Sequence, residues 1–247
     1  MLKLLIKNEF LKQKGNKNIW IILMIPIIIN FLLAGDLMVR YDSWILPQAQ
    51  TRGISCWQML INEQKILYFN DLMPVFAAIN IISLYEYEYR NNSWRFLLTK
   101  PIKRKWILLT KYIVASFNYF IMLLLNLFSL ISLGLIFKFQ ETVPWKYFGL
   151  MFAIQLSAGL IIILIHSFLN IRNKNLIVSI GIAGILSVFT SNFYYNNNIL
   201  KYNPYGFSLF SISQERIEII VVFISLIIAY FIGKPMIEKY FNNKEIY

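Results

Sequence analysis

Residues 107–137 read "ILLTKYIVASFNYFIMLLLNLFSLISLGLIF", about thirty positions with a single charge, Lys111. A helix needs about 20 apolar residues to cross a bilayer, so this run spans one with length left for tilt or an interfacial turn. Working outward, comparable runs lie at about 19–39, 66–85, 147–169, 176–193 and 217–232. The chain is 58% hydrophobic and only 15% charged, against roughly 25% charged in ordinary soluble domains. The fold class is therefore an all-α integral membrane protein with six transmembrane helices. No repeat, Pro/Ser linker or composition shift divides residues 1–247, which reads as one membrane domain. The run at about 66–85 is the least regular, because Asn70, Asp71 and Pro74 crowd one end.

An even number of spans puts both termini on one side. That side receives 17 of the 24 Lys and Arg residues: Lys3, Lys7, Lys12, Lys14 and Lys17, seven from Arg90 to Lys111, then Arg172, Lys174, Lys234, Lys239 and Lys244. Basic residues accumulate on the cytoplasmic side, so both termini are expected there. The net charge of +12 then serves topology and lipid headgroups, and no nucleic-acid partner is implied. Residues 1–17 resemble a signal peptide only superficially. The following run exceeds a typical h-region and no A-x-A site follows it, so it is expected to stay as the first span. Two outer loops, about 40–65 and 194–216, hold Trp44, Pro47, Trp57 and "YYNNNILKYNPYGF"; their aromatic residues are expected in interfacial belts.

Several chemistries are missing. There is no G-x-x-x-x-G-K-[ST] phosphate loop and no H-E-x-x-H, and one His and one Cys cannot assemble a metal or thiol site. Cys56 has no disulfide partner and reads as a small, weakly polar residue. His166 lies inside the fourth span, where a hydrogen-bonded structural role is expected. Asn30, Asn80, Asn118, Asn126 and Gln155 suit interhelical hydrogen bonds. Asp36 and Asp71 sit toward span ends, so no mid-membrane ionisable relay supplies energy from within the chain. Pro26 and Pro74 are expected to kink their helices.

The charge-dense connector is "EYEYRNNSWRFLLTKPIKRKW", residues 86–106. Tyr87, Trp94, Leu97 and Leu98 approximate one helical face, giving a short amphipathic helix at the membrane surface. Pro101 ends it by disfavouring helix at Lys100. Lys103, Arg104, Lys105 and Lys111 read as topology determinants facing anionic headgroups. Glu86 and Glu88 do nothing for topology, and call for a salt bridge to Arg90 or Arg95 or for a protein partner.

This order of residues resembles the connector of ABC-2-type permeases: an acidic residue (Glu86 or Glu88), paired leucines (Leu97 and Leu98), Pro101, basic Arg104, then Lys111 opening the third span. Many members have Gly-Thr before the leucines, where this chain has Asn92, Ser93 and Trp94. That variant, with a Trp-containing first outer loop, is similar to permeases of lantibiotic (bacteriocin) immunity exporters.

The resemblance implies an N-terminal interfacial elbow helix within residues 1–18 and a cytoplasmic coupling segment at 86–100. In the elbow Lys3, Lys7 and Lys14 share a face, while Lys12 falls opposite among apolar residues. The coupling interface would comprise Glu86, Glu88, Arg90, Asn92, Trp94, Leu97, Leu98, Pro101 and Arg104. Also implied are a bacterial cell-membrane location, a second permease copy or sister permease, and separate ATP-binding cassette subunits. Those subunits, not this chain, would carry ATP and Mg; no cofactor or metal is expected here. The implied substrate is a cationic antimicrobial peptide. The alternatives are another amphipathic substrate (a drug, toxin peptide or lipid-like molecule), a non-transporting partner or sensor, and a membrane enzyme.

Overall fold

The computed structural model describes residues 2–14, 17–173, 175–194 and 200–243. Lys174, Lys244 and residues 195–199 of the second outer loop lie outside the described residues, as does the side chain of Lys17. In order, the helices are α1 (Leu2–Gln13), α2 (Lys17–Arg40), a π turn (Tyr41–Ile45), α3 (Leu46–Arg52), α4 (Cys56–Ile66), α5 (Phe69–Arg90) and α6 (Ser93–Thr99). There follow α7 (Arg104–Ile136), α8 (Trp145–Arg172), α9 (Leu176–Phe193), 3₁₀ turns (Leu200–Tyr202, Pro204–Leu209), α10 (Phe210–Ser213), α11 (Arg216–Ile228), a π turn (Ala229–Gly233) and α12 (Lys234–Asn243). No strand occurs among these residues. Among the described residues five segments are each long and apolar enough to cross a membrane, or six where the bent pair α4–α5 counts as one span.

Three boundaries differ from the sequence expectation. The first span continues through the π turn to Arg52, giving one segment from Ile19 to Arg52. The sixth continues through its own π turn to Asn243. The second is broken: α4 and α5 meet at 60°, with Tyr68 in the left-handed region at φ 59. That sharp bend precedes Pro74, and α2 runs through Pro26 without a break.

Both expected outer loops turn inward in their described residues. In α4, Trp57, Met59, Leu60, Ile61 and Gln64 are buried, so Trp57 belongs to the core and not to an interfacial belt. Ser55 and Gln58 form a capping box at its start, and Glu141 accepts the Cys56 backbone N–H (2.9 Å) and the Trp57 indole N–H (3.2 Å). The Trp57 ring lies so close to α7 that a Cβ on Gly134 would sit 2.2 Å from it. In the second loop Tyr205, Phe207 and Phe210 are buried, and the backbone turns in 3₁₀ form against α8 and α9. Both excursions are possible because polar side chains meet them. Gln64 donates to Asn30 (3.0 Å) and Asn126 (2.7 Å). Gln155 donates to Asn70 (3.0 Å) and Ser211 (3.2 Å). His166 joins Ser179 (2.8 Å) and Tyr205 (3.0 Å), a hydrogen-bonded histidine between three elements. Asn80 differs from expectation: its amide bonds the Phe76 carbonyl of its own helix.

Candidate functional site

Long-range contacts gather α1, α6, the start of α7 and the end of α12 at one end of the bundle. α5 arrives there and stops at Arg90. The chain reverses through Asn92, whose φ of 48 places it in the left-handed region that Asn tolerates better than most side chains. Ser93 then starts α6 and donates its hydroxyl back to the Glu88 carboxylate. α6 ends at Thr99 because Lys100 is extended (ψ 149) before Pro101. A short helix between the second and third spans is thus fixed by two turn residues and a proline.

Beneath it lies a cluster of four charges. Lys12 bonds Glu88 (2.6 Å) and Glu9 (2.8 Å). Lys111 bonds Glu88 (3.2 Å), Glu9 (3.2 Å) and the Leu84 carbonyl (2.9 Å). Two carboxylates and two ammonium groups from α1, α5 and α7 cancel, as burial demands: an isolated ion in such a setting is very costly, whereas a paired one is tolerated. Burial pulls the Lys12 ammonium down, but Glu9 and Glu88 outweigh it and raise its pKa above the ordinary lysine value. Lys12 therefore occupies the apolar face of the elbow because a buried carboxylate awaits it there. Gln13 extends the contact by accepting from Asn118 (3.3 Å).

Trp94 roofs this cluster. Its ring packs on Tyr85 (5.9 Å), Tyr89 (5.9 Å) and Phe241 of α12 (5.6 Å). The Lys111 ammonium lies 5.7 Å from the Trp94 ring and 5.5 Å from that of Tyr85, within cation–π range. Arg104 donates to the carbonyls of Phe241 (2.8 Å) and Asn242 (3.0 Å), so the end of α12 is held against the connector.

These placements revise the sequence expectation residue by residue. Glu88 (0% exposed) and Trp94 (4%) face inward, not outward. Lys111 is no headgroup ligand: it is fully buried, because its carboxylate partners lie inside the bundle. Arg104 is engaged with α12. Glu86 is half-exposed, with Arg90 at 3.4 Å. Leu97 and Leu98 are half-buried against the core. Arg90, Asn92, Pro101, Lys103 and Lys105 are exposed. Arg95 and Phe96 are exposed too, and neither belongs to the expected interface; Phe96, 73% exposed, is an aromatic ring standing beside Arg95 on the outer side of α6. Glu9 also escapes a sequence reading, although it is the one acid among the lysines of residues 1–17.

Cavities open at both ends of the bundle. A notch of about 400 Å³ lies between the elbow, α6 and α7, lined by Asn8, Glu9, Lys12, Tyr87, Leu97 and Lys100. At the other end, a groove of about 800 Å³ opens beside the break in the second span, lined by Arg52, Asn62, Lys65, Tyr68 and Asp71 and closed by the end of α9.

Comparison with known proteins matches the chain to a family described as ABC-2 family transporter protein, over residues 5–190. That range runs from the elbow helix through the connector into α9. Comparisons with curated proteins and with solved structures returned no match. A multi-span helical bundle matched over most of its length belongs to that family: the chain is an ABC-2 family transporter protein, a transmembrane permease subunit and not itself a catalyst.

Proposed function

We propose that this permease belongs to an ATP-driven exporter that expels a cationic, amphipathic antimicrobial peptide from the membrane. The observation that carries the coupling part is the two-sidedness of α6. Its outer face presents Arg95 and Phe96, while its inner face is fastened to the second and third spans through Trp94, Ser93–Glu88 and Glu88–Lys111. A separate ATP-binding cassette subunit that seats on the outer face would move α5, α7 and α1 as one body. Nucleotide would then favour one packing of the spans over another, as any two-state coupling requires. In this reading α6 and both termini are cytoplasmic, in keeping with the basic residues gathered there.

The peptide assignment rests on the Asn92–Ser93–Trp94 variant of the connector. The groove beside Tyr68 and Asp71 supports an amphipathic substrate, since it sets polar groups within an apolar surround. A drug or lipid-like substrate is the alternative. The test expresses the chain with its ATPase partner in peptide-sensitive cells. Resistance should require both proteins, and Phe96→Ala together with Arg95→Glu should abolish it while the permease stays in the membrane. Unchanged resistance in that double variant refutes the coupling face; resistance to non-peptide compounds alone reassigns the substrate.

A further inference from the structure

The sixth span, which lies wholly beyond the family match, leaves an apolar groove along α8. Ser225, Ala229 and Gly233 follow one another at four-residue intervals and line it, so this strip of the wall is nearly bare of side chains. The π turn Ala229–Gly233 forms the middle of that strip. A Cβ on Gly233 would meet nothing within 4 Å. The opposite wall is Ile161, Leu164, Ile165 and Phe168, and the groove encloses about 860 Å³. It closes at Pro204 within the bundle and reaches Lys239, Tyr240 and Asn243 at the end that carries α1 and α6. From 225 to 243 the helix rises roughly 27 Å at 1.5 Å per residue. That exceeds one leaflet's share of a roughly 30 Å hydrocarbon core.

The charge pattern selects an occupant. The walls are almost wholly hydrocarbon from the middle of the bundle nearly to its end, and the charge stands at the mouth alone. Lys239 is exposed and, among the described residues, in no ion pair. A molecule matching this has a long apolar chain and an anionic head, oriented head toward Lys239. We propose that the groove binds one acyl chain of an anionic glycerophospholipid, with its phosphate held at Lys239. Gly233 and Ala229 leave room for the chain, and the Phe168–Tyr240 ring pair (5.2 Å) stands beside the mouth. This site depends on the chain spanning a membrane and not on what it exports.

The experiment uses phosphatidylglycerol with a photoactivatable diazirine near the end of one acyl chain. The full-length protein is placed in phosphatidylcholine nanodiscs with a minor fraction of that probe, and adducts are mapped by mass spectrometry. Adducts should concentrate on residues 161–168 and 225–236. Gly233→Trp, whose ring has open space to occupy, should remove them while labelling of exposed Ile185 on α9 persists. Lys239→Gln should lower labelling relative to a phosphatidylcholine probe about fivefold, the factor one basic residue near an anionic surface supplies. Adducts spread evenly over all exposed apolar residues, or a pattern unmoved by Gly233→Trp, would overturn the site. So would ready disulfide formation between two copies carrying Gly233→Cys, which would assign the groove to a chain–chain contact.

Discussion

Glu88 and Lys111 occupy positions that a sequence reading gives to the surface, yet both are wholly buried. Each is held there by the other and by Glu9 and Lys12. Removing one partner strands the rest, so Lys111→Met should destabilise the protein by about 3–5 kcal/mol, measured by thermal unfolding in detergent. The double variant Lys111→Met with Glu88→Gln should lose less than the sum of the two single losses, because the stranded charge goes with its partner. Lys12 gives the pH dependence. Burial lowers its pKa, but Glu9 and Glu88 raise it by more in the folded state. Its contribution is therefore complete below the ordinary lysine value of 10.5 and is lost as pH rises through the higher folded value. Wild type should show an alkaline loss of thermal stability above that pH that Lys12→Met lacks.

Among elements, α6 and α12 form a joint that neither makes alone. Phe241 is fully buried between Trp94 and Arg104, so Phe241→Ala should cost about 3–5 kcal/mol locally. Hydrogen exchange should speed up at 93–99 and 234–243 together; acceleration confined to α12 would mean the joint is not cooperative. The contact of α4 with α7 gives a second case. Gly134→Ala drives a Cβ into the Trp57 ring and should destabilise by about 1–3 kcal/mol, as overpacking does. Gly149→Ala in α8 meets nothing within 4 Å and should stabilise by about 0.5–1 kcal/mol through helix propensity. The short connector helix is legible in the sequence, because Pro101 and the polar turn before Ser93 are local signals. The inward course of α4 and of residues 200–213 is not. Their burial rests on Asn30, Asn126, Gln155 and His166, which come from distant parts of the chain.

At the scale of the whole molecule, the bundle offers an exposed basic end and, at the other, a groove with polar groups set among apolar ones. If the basic end is cytoplasmic, single cysteines at 95 and 96 in a Cys56→Ser background should react with a membrane-impermeant maleimide only after the cells are opened. Labelling in intact cells would invert the topology. The all-helical membrane class was determined by the sequence alone, because crossing a bilayer is a matter of apolar length along one contiguous run. The facing of the connector was decided only by the tertiary structure. A carboxylate such as Glu88 belongs in water by default, and it goes inside only because Lys12 and Lys111, from two other helices, reach it with compensating charge.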